Sequence, residues 1–232
     1  MVYNGNTNYW YGPSCAYSYQ TPDGWTVNMD ANYYLPAGTT LDFMLFATNY
    51  GSEPYVTSES SYSGIALPQG MPIISFQASL QSAFYTPGYN SPTRITNWYT
   101  TFQSSYGGSH DLNANFDVSS GYFHAPMTGV YYCYFSGVAY NLQSTGNLEV
   151  ELRINDVRNT SSINYGRMAY NNEDSYINSY HHAAFTYLAE DQTLSVYTTC
   201  DNCDYFYWQY YGMTGRGGPA TFGCTLVGTT DS

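Results

Sequence analysis

Short apolar segments separated by turn residues constrain this chain more than any other feature of its sequence. Gly, Pro, Asn and Thr interrupt the chain about every eight to twelve residues, and apolar residues do not recur at helical spacing. This pattern predicts an all-β sandwich or jelly roll with Greek-key connections. After residue 71, strands are predicted at Ile73–Leu80, Thr93–Phe102, Leu112–Phe116, Gly121–Phe123, Val130–Ala139, Leu148–Ile154, Ile177–Tyr187, Gln192–Thr198 and Thr221–Val227.

The first part of the chain has a different character. Strands are predicted at Thr26–Tyr34 and Thr40–Thr48, with a turn at Leu35–Gly38 between them. Ser52–Met71 is rich in Ser, Glu, Gly and Pro, which is typical of a linker. We therefore expect an unassigned β-rich N-terminal region over 1–71, available as an assembly segment, followed by a main domain over 72–232.

The charge balance excludes several classes of partner. The chain has 5 basic and 17 acidic residues and a net charge of −12. Nucleic acids and anionic membranes are disfavoured because both require clustered cations. No stretch of about eighteen apolar residues predicts a membrane span, and residues 1–12 do not resemble a signal peptide. We expect an extracellular, cell-surface or virion protein.

Tyrosine is present in excess, with 29 residues in a chain of 232. A core cannot absorb that many phenols with each hydroxyl hydrogen-bonded, so many tyrosines must face water or partners. The segment Val130–Phe135 is apolar on both alternating faces, whereas a strand of a sandwich normally has one wet face. The simplest cover for its second face is another copy of the protein, which predicts an oligomer.

One set of spacings resembles the signature of the C1q globular-head family, whose members are relatives of the tumour necrosis factor jelly rolls. Cys133 stands where that family usually has Phe. The signature positions are Asp111, Phe116, Phe123, Gly129, Tyr131, Cys133 and Phe135. Further blocks in the family's order are Ile74–Ala78, Asp191–Val196 and Thr221–Leu226, so the resemblance covers about residues 72–228.

The resemblance implies a ten-strand jelly roll that assembles as a tight homotrimer. It further implies that loops recognise ligands, that catalysis is absent, and that the signature residues Phe116, Phe123, Gly129, Tyr131, Cys133 and Phe135 form the trimer core. The ligand itself does not transfer, because such folds host many functions. We expect no cofactor, no enzyme activity, no nucleic-acid partner and no membrane insertion.

The five cysteines leave alternatives open. Cys200 and Cys203 have the spacing of half a zinc site, but the other half is missing, so a local disulfide is favoured, with free thiols as the alternative. The resemblance places Cys133 and Cys224 in one sheet, where two buried free thiols are favoured over a bridge. Cys15 then stays unpaired or bonds another chain.

Other polar groups have ordinary interpretations. Four loop acids could bind calcium, but no spacing supports such a site and solvated acids are favoured. They are Glu173, Asp174, Asp201 and Asp204. Ser109–Asp111 looks like a triad, but sequence neighbours cannot adopt triad geometry, so a polar loop is predicted. His181 and His182 point to opposite faces of a strand and, like His124, are interpreted as structural. Asn159 begins a glycosylation sequon.

The densest aromatic run is Tyr205–Met213, just before Arg216. Such a strip must be covered or must bind, so we predict a ligand-binding or assembly surface there. Its residues are Tyr205, Tyr207, Trp208, Tyr210, Tyr211 and Arg216. Two functions follow: a trimeric recognition or adhesion protein that binds glycans or proteins, or a structural subunit of an extracellular fibre, matrix or virion.

Overall fold

The computed structural model describes residues 2–4, 8–10, 67, 70–85, 91–100, 110–140, 147–158, 165–169, 177–201, 206–208 and 219–229. Its strands, numbered in chain order, are β1 (Val2–Asn4), β2 (Asn8–Trp10), β3 (Ser75–Leu80), β4 (Phe84–Tyr85), β5 (Thr93–Arg94), β6 (Trp98–Tyr99), β7 (His110–Asp111), β8 (Phe116–Asp117), β9 (Tyr122–His124), β10 (Gly129–Tyr140), β11 (Asn147–Ile154), β12 (Tyr165–Ala169), β13 (Ile177–Leu188), β14 (Thr193–Asp201), β15 (Tyr207–Trp208) and β16 (Thr221–Thr229). The predicted strands at Thr26–Tyr34 and Thr40–Thr48 lie outside the described residues.

Two antiparallel sheets form a sandwich. The principal strands of the first sheet run in the order β13-β10-β16-β3, and those of the second in the order β12-β11-β14-β9. Followed along the chain, these strands pass repeatedly from one sheet to the other, which is the Greek-key pattern of a jelly roll. The expected all-β jelly roll is therefore confirmed. Among the described strands, β1 and β2 pair with each other and with no third strand, and the boundary near residue 71 stays a prediction.

Aromatic side chains fill the space between the sheets. The ring of Phe76 stacks on Phe116 and Phe123, with centroid distances of 4.4 and 5.0 Å, and meets Phe222 edge-on. On β10, Tyr131 and the other odd-numbered residues point into this core and are fully buried. Burying large rings of this kind contributes about 1.5–3 kcal/mol for each side chain, which explains why the long strands tolerate so few charges.

The segment 93–99 crosses between the sheets. It forms β5 in the second sheet and β6 in the first, whereas the sequence predicts one continuous strand over Thr93–Phe102. Asn97 has a φ of 66° between them, a conformation that Asn tolerates better than most residues. The indole of Trp98 donates a 3.0 Å hydrogen bond to the carbonyl of Ile95, which fixes this crossing.

A disulfide joins Cys133 and Cys224, which lie directly opposite each other on β10 and β16. Both residues are fully buried. The prediction of two buried free thiols is therefore wrong: the strand register places the two side chains on the same side of the sheet with Cα atoms 4.1 Å apart. The bridge links the two central strands of the first sheet.

Candidate functional site: the outer face of the first sheet

The outer face of the first sheet is the side turned away from the core. Side chains alternate along a strand, so the even-numbered residues of β10 from Val130 to Ser136 lie on this face while their odd-numbered neighbours point into the core. Strand register then assigns the positions beside them. Tyr132 lies opposite Phe185 on β13 and Thr225 on β16, and Tyr134 lies opposite Ala183 and Gly223.

One end of this face is aromatic. Phe185 and Tyr187 of β13 are each 55% exposed, unlike the other rings of the sheet. The ring of Tyr132 contacts Phe185 at a centroid distance of 5.2 Å and Tyr134 at 6.3 Å. Tyr132, Phe185 and Tyr187 define an aromatic patch, which is the kind of exposed apolar surface that usually marks a contact with another molecule.

Tyr134 is covered by its own chain. Gly223 presents no side chain, so the tyrosine ring lies over this glycine and its hydroxyl reaches Gln77 Oε1 at 2.5 Å. Both Tyr134 and Gln77 are almost fully buried. The second apolar face predicted for Val130–Phe135 is thus covered within the chain at Tyr134, while Tyr132 is half-buried.

The other part of the face is polar but uncharged. His110 Nε2 lies 3.0 Å from Ser75 Oγ, and Ser75 Oγ lies 2.9 Å from Thr225 Oγ1. On the opposite side of β10, His181 faces Ser136 across the register of β13. These contacts form a row of hydroxyl and imidazole groups beside the aromatic patch.

Charged side chains are missing from the outward positions of this face in the described parts of β3, β10, β13 and β16. Those positions carry Ser, Thr, Gln, Gly, Ala, Val, His, Phe and Tyr. The whole chain, by contrast, has 17 acidic residues. A surface whose described outward positions carry no charge can pack against a copy of itself without placing like charges together at those positions.

The second sheet has a charged outer face. Asp156, at the turn after β11, accepts hydrogen bonds from Ser195 Oγ at 3.2 Å and Tyr197 Oη at 3.0 Å. Its second carboxylate oxygen accepts from Tyr122 and lies 3.4 Å from Arg94 Nη1. The pKa of Tyr197 is raised, mainly by burial and also by Asp156. Asp156 therefore links β5, β9 and β14.

Paired charges continue along β11. Arg153 donates to Glu151 at 2.8 Å, and its guanidinium lies 4.0 Å from the ring centroid of Tyr197. Arg158 reaches Glu149 at 3.3 Å and Glu151 at 3.0 Å. Because each of these arginines is engaged by a carboxylate of its own chain, this face is a charge-paired exterior and not an open anion site.

The aromatic run predicted as a binding surface is only partly described. Trp208 is fully buried in the core, with its ring 4.9 Å from Phe135, so its expected exposure is wrong. Tyr207 pairs with Tyr85 and Tyr140 on neighbouring strands and is half-buried. Short strand β15 explains the burial, since it adds Trp208 to the sheet. Tyr205, Tyr210, Tyr211 and Arg216 lie outside the described residues.

The signature residues lie within one subunit. Those expected to form a trimer core are buried between the two sheets of a single chain, so that role is corrected to intrachain packing. They are Phe116, Phe123, Gly129, Tyr131, Cys133 and Phe135. The outward residues Tyr132, Phe185 and Tyr187 lie on the outer face of the first sheet instead. The alternation of side chains along a strand could have identified these outward residues if the odd-numbered residues of β10 had been assigned to the core.

The remaining candidates have these outcomes. Cys200 is disulfide-bonded, and its pairing with Cys203, which lies outside the described residues, stays a prediction.

His110 belongs to β7 and not to a loop. The Asp111 carboxylate accepts from the backbone N–H groups of Asn115 and Phe116, so it does not orient His110 as a triad acid would.

The metal and modification predictions stay untested. Among the described residues, no group of three or more His, Cys, Asp or Glu side chains is placed to hold a metal ion. Of the four acids considered for calcium, Glu173, Asp174 and Asp204 lie outside the described ranges, as does Asn159. Within those ranges, no helix has the length and hydropathy required to cross a membrane.

Comparison with known proteins adds a likeness in fold. No protein-family pattern matches the chain, and no curated protein matches it. The globular domain of zebrafish complement 1qA is 16% identical, with 66% of this chain and 97% of that chain covered at a TM-score of 0.41. Eiger TNF from S. frugiperda is 15% identical, with 70% and 97% covered at a TM-score of 0.45.

Murine APRIL is 12% identical, with 67% of this chain and 99% of that chain covered at a TM-score of 0.44.

Proposed function

We propose that this protein is a non-catalytic, extracellular or surface-displayed protein that assembles as a homotrimer through the outer face of the first sheet. The observation that carries the proposal is the composition of that face: Phe185 and Tyr187 are more than half exposed beside Tyr132, and no charged side chain occupies the described outward positions. Burying such rings on association releases ordered water, which is the main driving force for stable interfaces.

The cysteines support a location outside the reducing cytosol. Cys133, Cys224 and Cys200 are all disulfide-bonded. Disulfides persist in oxidising compartments and are rare in the cytosol. The net charge of −12 favours solubility of such an assembly.

Recognition of glycan or protein ligands is the role we assign to such a trimer. Its remaining surface includes the charge-paired face of the second sheet and the half-buried Tyr207 of β15. The test is binding to a panel of immobilised glycans, with Tyr207→Ala as the variant. Saturable binding weakened at least tenfold by this substitution supports recognition. Binding that the substitution leaves unchanged contradicts a role for Tyr207.

A structural subunit is the second candidate, favoured by β13. This strand is 12 residues long, contains no charged residue or Pro, and pairs on one edge only among the described strands. Natural proteins usually protect such edges, because an open edge accepts a strand from another chain. Filaments or shells seen by negative-stain microscopy would favour this candidate, and discrete particles would favour recognition.

Trimer formation is tested by placing a charge in the aromatic patch. Phe185→Glu should give a protein of monomer mass in sedimentation velocity at pH 7.5, because three buried carboxylates would lie near one axis. The matched control is Val157→Glu, at a turn of the second sheet where the side chain is 66% exposed. This control should keep the mass of the unmodified protein. An unchanged mass for Phe185→Glu would contradict the proposed interface.

A further inference from the structure

Exposed apolar side chains lie at both edges of the first sheet. The large apolar side chains that are exposed in the described part of the chain are Ile73, Leu112, Val118, Val157, Phe185 and Tyr187. Phe185 and Tyr187 belong to the aromatic patch on β13. Ile73 comes two residues before β3, and Leu112 directly follows β7. Four of these side chains therefore lie at two opposite edges of one sheet.

Strand register places Leu112 in the same row as the aromatic patch. β7 pairs with β3, and the backbone N–H of Leu112 donates a 3.2 Å hydrogen bond to the carbonyl of Ser75. Ser75 lies opposite Thr225 of β16, and Thr225 lies opposite Tyr132 of the aromatic patch. One row across the outer face thus begins at the aromatic patch and ends at Leu112.

Ile73 lies on the same face. The N–H of Leu226 donates to the carbonyl of Ile74 at 2.9 Å, so pairing with β16 continues beyond the start of β3. Ile74 is buried in the core. Because side chains alternate along an extended chain, its neighbour Ile73 points outward. Ile73 is 48% exposed and Leu112 is 50% exposed, and these two residues define an aliphatic patch.

The aliphatic patch shares the uncharged character of the outer face. The nearest acid in sequence is Asp111, which lies opposite the inward-pointing Phe76. Its carboxylate accepts hydrogen bonds from the backbone N–H groups of Asn115 and Phe116. Aromatic rings from another subunit can therefore pack on Leu112 without burying this carboxylate against them.

The two patches cannot touch each other within one subunit. Four spacings between neighbouring strands separate β13 from β7, through β10, β16 and β3. At about 4.8 Å for each spacing, Phe185 and Leu112 are about 19 Å apart. A contact between the aromatic patch and the aliphatic patch is thus a contact between two subunits.

This placement suits a closed ring of identical subunits. In a ring each subunit contacts its two neighbours through two different surfaces, whereas a two-fold dimer uses one surface twice. Packing one patch on the other would cover both patches in every subunit. A dimer formed through the aromatic patch would leave Ile73 and Leu112 exposed.

We propose that in the trimer the aromatic patch of each subunit packs on the aliphatic patch of the next subunit. This proposal rests on the proposed trimer. It adds the second surface of the contact and the residue pairs that meet there: the rings of Phe185 and Tyr187 from one subunit, and the side chains of Ile73 and Leu112 from its neighbour.

The experiment is thiol cross-linking of the full chain carrying Leu112→Cys/Phe185→Cys. The reagent is a bismaleimide that spans less than half of the distance between the two positions in one subunit. Each contact in the ring then has one introduced thiol from each of two subunits, so denaturing gels should show covalent trimers. Peptide mapping should recover the two introduced thiols joined to each other, which separates this link from any made by the native cysteines. Each single variant is the control and should not form it.

The outcomes separate this proposal from the proposed trimer. Links between two copies of the Phe185→Cys thiol, formed also by that single variant, would show that the aromatic patch packs on itself and would overturn the proposal. A trimer mass in sedimentation without a link between the two introduced thiols would also overturn it, and the trimer would stand. A monomer mass for the unmodified protein would contradict the trimer itself.

A charge in the aliphatic patch gives a second measurement. Leu112→Glu should raise the overall dissociation constant of the trimer at least about tenfold, because a carboxylate would be buried against aromatic rings. Val157→Glu is again the control and should leave the constant unchanged. An unchanged constant for Leu112→Glu would show that the aliphatic patch lies outside the contact.

The pairing of the two patches is tested by opposite charges. Leu112→Lys/Phe185→Glu should regain part of the association that Phe185→Glu alone loses, because the two charges would meet across each contact. Sedimentation equilibrium compares the two variants. No gain in association for the double variant would contradict the pairing of Leu112 with Phe185.

Discussion

The ring of Tyr134 lies over Gly223, and a Cβ atom built on that glycine would be 2.6 Å from both Cζ and Oη of the tyrosine. The glycine thus allows a phenol to cross from β10 to β3 and bond Gln77. This one contact covers the middle of the outer face from within the chain. The rings that remain open are those of Phe185 and Tyr187, at one end.

The first prediction concerns this glycine. Gly223→Ala should lower the free energy of unfolding by about 1–3 kcal/mol, because the added methyl group displaces a packed ring and breaks its hydrogen bond. The control is Gly228→Ala on the same strand, where the nearest atom is 3.9 Å away. Urea unfolding measures both. Equal effects of the two substitutions would contradict the packing of Tyr134 described above.

A second prediction concerns the bridge between β10 and β16. Cys133→Ala/Cys224→Ala should lower the free energy of unfolding by about 2–4 kcal/mol, because the disulfide closes a long loop in the unfolded chain. Its cysteines are 91 residues apart in sequence. Urea unfolding gives the difference, and peptide mapping without reductant should recover Cys133 linked to Cys224. Recovery of both as free thiols would refute the bridge.

Much of the first sheet follows from sequence alone. The predicted strands at Val130–Ala139 and Ile177–Tyr187 match β10 and β13 within one residue at each end. The first is a nearly continuous apolar run, which leaves little choice of strand bounds. The disulfide could not be predicted in this way. It depends on the register between β10 and β16, which two distant segments determine only when they pair.

Other structural features could not be predicted from local sequence patterns, because they depend on contacts between distant segments. Residues 93–99 look like one strand, but the chain changes sheet at Asn97, and only tertiary pairing reveals this. Trp208 belongs to a run that is aromatic at nearly every position, so alternation cannot tell its inward from its outward residues. The Asp156 contacts were missed because Arg94, Tyr122 and Tyr197 come from separate strands.

The third prediction concerns Asp156. Asp156→Asn should lower the free energy of unfolding by about 1–2 kcal/mol, because charge-assisted hydrogen bonds from Tyr122, Ser195 and Tyr197 are weakened and the ion pair with Arg94 is lost. Asp191→Asn is the control, because Asp191, like Asp156, has a positive φ and lies at an exposed turn. Thermal unfolding of the two variants and of the unmodified protein gives the loss of stability for each substitution. A smaller loss for Asp156→Asn than for Asp191→Asn would show that Asp156 does not stabilise the second sheet.

The fourth prediction is an acid-dependent loss of stability. Hydrogen bonds from Ser120 and Ser119 lower the pKa of Asp117 from 3.8 to about 2. Because the folded pKa is the lower one, this contribution is present above pH 3.8 and is lost as pH falls towards 2. The difference in urea midpoint between the unmodified protein and Asp117→Asn should therefore shrink over that range. A constant difference would mean that the carboxylate has no such role.

The mass of the unmodified protein in solution tests the proposed trimer most directly. Sedimentation equilibrium at pH 7.5 and micromolar concentration should give three times the chain mass of 26.0 kDa. That result is predicted because the exposed rings of Phe185 and Tyr187 need a partner and the charge-free face allows identical copies to supply it. A mass of 26.0 kDa at every concentration would contradict the account.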